Sequence, residues 1–64
     1  MKVIPTDVYG KDGEMLRIEY HDFDGNFIVQ VVWDDEDEQN SENREFLRKW
    51  GKKMVQQLGY EVME

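Results

Sequence analysis

The stretch Phe27-Ile28-Val29-Gln30-Val31-Val32-Trp33 limits this chain more than any other. It is the most apolar run present, and it is rich in β-branched and aromatic side chains. At seven residues it has strand length, not helix length. Asp24-Gly25-Asn26 precedes it as a turn signal, and an acidic run follows it. A buried strand needs neighbours on its edges and a cover on its face, and the rest of the sequence supplies both.

The chain upstream reads as two more strands. Val3 to Tyr9 is the first, with Pro5 placing it at an edge or bulge because proline cannot donate a ladder hydrogen bond. Lys11-Asp12-Gly13 fits a three-residue hairpin loop closed by glycine in the left-handed region. It would set Val8 opposite Leu16, Thr6 opposite Ile18 and Ile4 opposite Tyr20. Met15 to His21 is the second strand: Leu16, Ile18 and Tyr20 alternate with Arg17, Glu19 and His21, as in a sheet with one wet face. A two-residue loop, Asp24-Gly25, then pairs Tyr20 with Val29, Ile18 with Val31, Leu16 with Trp33, Glu19 with Gln30 and Arg17 with Val32. A slip of one residue would turn every core side chain outward.

The cover is a helix from Glu42 to about Leu58, capped by Asn40 or Ser41. Leu47, Trp50, Met54 and Leu58 recur at spacings of three and four and form one stripe, with Phe46 and Val55 beside it and Gly51 on it. Gly51 costs about 1 kcal/mol relative to alanine, which a close approach of helix to sheet would explain. Gly59 suits the helix C-terminus, and Tyr60 to Met63 alternates again, either as a short fourth strand beside the first or as a frayed tail. The expected fold is therefore α+β. A three-stranded antiparallel meander carries one C-terminal helix on one face, followed by that short strand or tail, all in one domain over residues 1–64.

Size and charge bound the function. A domain of 64 residues buries only about 60% of the surface its unfolded chain exposes, so its stability margin is thin. There is no cysteine to staple it, which leaves packing or self-association. A formal net charge of -7 opposes general binding to nucleic acid or anionic membrane and suits a basic partner. No apolar run reads as a signal peptide or a span, so a cytoplasmic protein is expected.

Chemical motifs are sparse. Asp22, Asp24 and Asn26 open like a calcium loop, but glycine falls at 25 and Trp33 stands where the closing glutamate belongs. His21 lies near Asp22 and Asp24 with no second histidine and no framed nucleophile. No enzyme activity, cofactor or metal is expected.

Two charged surfaces are the candidates. Asp34, Asp35, Glu36, Asp37 and Glu38 form a run of carboxylates that could imitate a line of phosphates and occupy a basic groove. Its bland reading is a solvated linker whose charge favours the helix N-terminus. Arg44, Arg48, Lys49, Lys52 and Lys53 form a basic arc on the helix that could touch phosphate. No aromatic is interleaved there, Glu45 interrupts it, and a solvated face is the simpler account. Trp33 and Trp50 both fall on inward positions. If one helix cannot cover the sheet, one of them is exposed and becomes an interface anchor. Ile28 and Val32 on the wet face offer a contact for a partner or a second copy, so a homodimer is a further expectation. The expected function is non-catalytic protein binding, as a small acidic, DNA-mimic-like inhibitor or adaptor of the kind phages encode, acting on a basic surface. Nucleic-acid contact through the helix is the alternative.

Overall fold

A computed structural model describes residues 1–34 and 38–63. Strands β1 (Lys2–Tyr9), β2 (Met15–His21) and β3 (Phe27–Val32) form the antiparallel meander, helix α1 (Ser41–Gln57) follows, and β4 (Glu61–Val62) ends the chain. The sheet order is β3-β2-β1-β4, with β4 parallel to β1, so the expected fourth strand is present beside the first.

Both hairpins use one device. Each turns through a three-residue loop whose last residue is a glycine at positive φ, Gly13 at 81° and Gly25 at 85°. Gly10 N–H donates to Glu14 O at 2.8 Å across the first, and Asp22 N–H to Asn26 O at 3.0 Å across the second. Each loop is followed by a bulge, in which one strand carries an extra residue.

In the second hairpin the bulge at Ile28 restores the expected register. Arg17 faces Val32, Ile18 faces Val31 and Tyr20 faces Val29. The loop itself is Phe23-Asp24-Gly25, not the two residues Asp24-Gly25. In the first hairpin the loop is as expected, but the bulge at Leu16 shifts all that follows. Asp7, not Thr6, lies opposite Ile18, and Pro5 lies opposite Tyr20. Leu16 was expected in the core and is 39% exposed, while Met15 takes its place at 1%.

Asn40 is the helix cap. Its backbone is extended, and its side chain accepts from Asn43 N–H at 2.8 Å. At the far end Gly59, with φ 98°, and Tyr60 donate back to Gln56 O and Val55 O at 3.0 and 3.3 Å, a Schellman closure. Gly59 thus turns the chain from α1 into β4.

The core lies between α1 and one face of the sheet. Val3, Met15, Ile18, Tyr20, Val31 and Trp33 meet Leu47, Val55 and Val62 there. The buried line of α1 is Leu47, Gly51 and Val55, spaced by four. This corrects the expected stripe, since Trp50 is 44% exposed, Met54 40% and Leu58 64%. The helix seats on its glycine. A methyl group at Gly51 would lie 2.7 Å from Tyr20 Oη and 3.1 Å from Val31 Cγ2, so the helix rests against those two side chains.

Candidate functional site

The acidic run leaves the sheet directly after Trp33. Trp33 is buried, and its N–H donates to Leu16 O at 3.0 Å, so the chain is fixed up to this point. Asp34 and Glu38 are exposed, and Asp35, Glu36 and Asp37 lie outside the described residues. The chain is fixed again at Gln39. Its side-chain amide accepts from Met15 N–H at 3.1 Å and donates to Met15 O at 3.0 Å. It thereby supplies the two bonds that a neighbouring strand would otherwise make. Asn43 Nδ2 donates to Glu38 O at 2.9 Å and ties the same point to the first turn of α1. The run is thus bracketed by two anchors close to the start of β2. Nothing in the sequence marks Gln39 for this, since it is one polar residue in a polar linker.

The basic arc is divided. Arg48 reaches across to β1, where its Nη2 donates to Asp7 Oδ2 at 2.8 Å. Tyr9 Oη donates to the same oxygen at 3.2 Å. The Asp7 hydrogen bond pushes the Arg48 guanidinium above its ordinary value. Arg44 Nη1 donates to Gln39 O at 3.3 Å. Lys49 and Lys53 are exposed, and Lys52 is half-buried. Arg48 and Lys52 line a cleft of about 320 Å³ with Pro5, Asp7, Tyr20 and Val62. The bulge at Leu16 places Asp7 there, because it brings the odd-numbered residues of β1 to the helix side.

The sheet face away from α1 carries a charged row along β2. Arg17 Nε donates to Glu19 Oε2 at 2.7 Å, and His21 Nε2 lies 3.0 Å from Glu19 Oε1. Phe27 meets the His21 ring edge-on, with centroids 5.9 Å apart. His21 therefore belongs to a surface row. The Asp22 carboxylate accepts from Asp24 N–H and Asn26 N–H at 3.0 and 2.9 Å and from Asn26 Nδ2 at 3.1 Å. The calcium-like spacing is accounted for by this turn.

The Arg17 hydrogen bond, followed by His21, holds the Glu19 carboxyl below its usual range. The unfolded chain has no such pair. The stabilisation is therefore complete above the unfolded glutamate's pKa and is lost as pH falls through the lower folded one. A carbon-detected NMR titration should find the Glu19 midpoint displaced upward in Arg17→Gln. An unmoved midpoint would contradict this assignment of cause.

One apolar surface remains. Asn43, Phe46, Trp50, Met54 and Gln57 fall on one flank of α1 at spacings of three and four, with no charged residue among them. That flank borders β3, the strand at the sheet's edge. Phe46 and Trp50 share a groove with Val32, Trp33 and, at its end, Asp34, and Trp50, Met54 and Leu58 share a second with Val29 and Val32. No helix among the described residues is long and apolar enough to cross a membrane. The chain matches no protein-family model, no curated protein and no solved structure.

Proposed function

We propose that this chain is a non-catalytic protein-binding module, a small acidic inhibitor or adaptor that engages a basic partner surface through Asp34 to Glu38. The observation that carries this is the pair of anchors that bracket the run: Trp33 N–H is held by Leu16 O, the Gln39 side chain is held by Met15, and Glu38 lies exposed between them. Anchored ends lower the entropy lost on binding, and a formal net charge of -7 adds long-range attraction to a cationic surface.

Such attraction is fast and sensitive to salt. The test is retention of basic, nucleic-acid-binding proteins on the immobilised chain, eluted by a salt gradient after nuclease treatment. A variant with Asn and Gln throughout Asp34 to Glu38 should keep its circular dichroism spectrum. Five exposed charge pairs at about 0.2–1 kcal/mol each sum to about 1–5 kcal/mol, so it should lose at least about 5-fold in affinity. Undiminished binding by that variant would refute the reading. Loss on changing Lys49 and Lys53 instead, with recovery of nucleic acid, would move the site to the helix.

A further inference from the structure

We propose that the flank of α1 beside β3, together with the outer edge of β3, is a two-fold interface for a second copy of this chain. This does not rest on the acidic-run reading, and either can fail without the other.

The main-chain groups come first. Trp33 N–H donates to Leu16 O, so Trp33 belongs to a hydrogen-bonded pair of the antiparallel ladder. The ladder alternates, so Val29, Val31 and Trp33 direct their main-chain groups to β2. Gln30 and Val32 direct theirs to the outside, where no strand among the described residues pairs with them. An unpaired edge is a template for another strand.

The side chains beside that edge are unlike the remaining surface. In a chain that is 36% charged, the flank facing it carries no charge. On α1, Phe46 is 67% exposed and Leu58 64%, with the half-exposed Trp50 and Met54 between them, while Val32, 60% exposed, stands across the edge on the sheet face away from α1, beside Arg17. Aromatic and methionine side chains without charge are the composition of an interface centre. At roughly 150–250 Å² for a large side chain, the four on α1 leave on the order of 400 Å² of apolar surface uncovered. Two copies would remove up to about 800 Å² there, and pairing of the β3 edges, Val32 included, carries the total towards the ~1,000 Å² at which specific interfaces separate from casual contacts.

Charge selects the occupant's orientation. Antiparallel pairing of β3 with its own copy, with Gln30 on the axis, sends the two acidic runs to opposite ends. Asp34 lies four residues beyond Gln30, so the two copies of Asp34 would stand about 26 Å apart at ~3.3 Å per residue. That exceeds the ~8 Å screening length at physiological ionic strength. Parallel pairing would bring the runs together. The antiparallel axis also sets both helices on the same side of the joined sheet, where Trp50 and Met54 of each flank meet. The dimer would present two acidic runs facing apart.

The test is sedimentation equilibrium of the full chain from about 1 μM to 1 mM. The expected result is a reversible rise from 7.7 kDa to twice that mass, with a blue shift of Trp50 emission over the same range. Trp50→Glu and Val32→Lys should each weaken association at least 100-fold with an unchanged circular dichroism spectrum. Phe23→Glu, at an exposed turn, should leave it unaltered. The fluorescence shift in the unaltered chain provides a readout even where a variant fails to fold. A mass of 7.7 kDa up to 1 mM overturns the proposal. Association that survives both Trp50→Glu and Val32→Lys does so too.

Discussion

Tyr20→Ala is expected to abolish cooperative folding at 25 °C. Tyr20 is the largest fully buried side chain, 1% exposed near the end of β2, with β1 and β3 on either side and Gly51 of α1 above it. Removing a buried aromatic side chain costs about 3–5 kcal/mol, because contacts are lost and the cavity closes only in part. A domain of 64 residues has a total stability of roughly 3–10 kcal/mol. The loss is of the same order as the whole. Thermal unfolding followed by circular dichroism should show no sigmoidal transition, whereas Phe23→Ala, at a side chain 65% exposed, should stay within about 0.5 kcal/mol of the unaltered chain. A transition that survives Tyr20→Ala with only a few degrees' displacement would mean that Tyr20 is not packed as described.

Gly51→Ala is the second large effect, and its sign is informative. On helix propensity alone, alanine would stabilise α1 by about 1 kcal/mol. Here the added methyl meets Tyr20 Oη at 2.7 Å, and that oxygen is the tip of a rigid buried ring. Val31 Cγ2 at 3.1 Å closes the other side. Either the ring or the helix must move, and overpacking of this kind costs about 1–3 kcal/mol. Urea unfolding should therefore give a net destabilisation. Tyr20→Phe removes the oxygen, so Gly51→Ala should cost less in that background, a coupling of about 1 kcal/mol. Stabilisation by Gly51→Ala would show that α1 stands further from the sheet.

Gly51 also shows why periodicity alone misplaces the helix face. Periodicity weighs large apolar side chains above glycine, so the stripe centres on Trp50 and Met54. Close packing favours the small residue instead. With Gly51 at the contact, Leu47 and Val55 go in, and Trp50, Met54 and Leu58 turn towards the edge of β3. The three strands and the helix are legible because each has its own period and punctuation, whereas four alternating residues after Gly59 fit a strand and a frayed tail alike. The register of β2 with β3 was legible as well, although two differences cancelled there: a loop one residue longer and a bulge at Ile28. In the first hairpin nothing cancelled the bulge at Leu16. Thus Asp7 takes the place opposite Ile18 that the sequence assigns to Thr6, and it lies under Arg48.

The charged candidates were visible as composition, but their environments were not. A basic arc on a helical wheel does not show that Arg48 is held by a carboxylate 41 residues away. A polar linker does not show that Gln39 will complete the pairing of Met15. Both depend on where the meander places β1 and β2, which only the bulges decide.

Among the described residues β3 is an open edge beside an uncovered helix flank, and amide hydrogen exchange resolved by residue tests this most directly. At a few μM, the amides of Val29, Val31 and Trp33 should exchange slowly and those of Gln30 and Val32 fast. At 1 mM, Gln30 and Val32 should become protected as the second copy pairs. Equal protection of Gln30 and Val32 at every concentration would place another strand on that edge and contradict the sheet order on which the account rests.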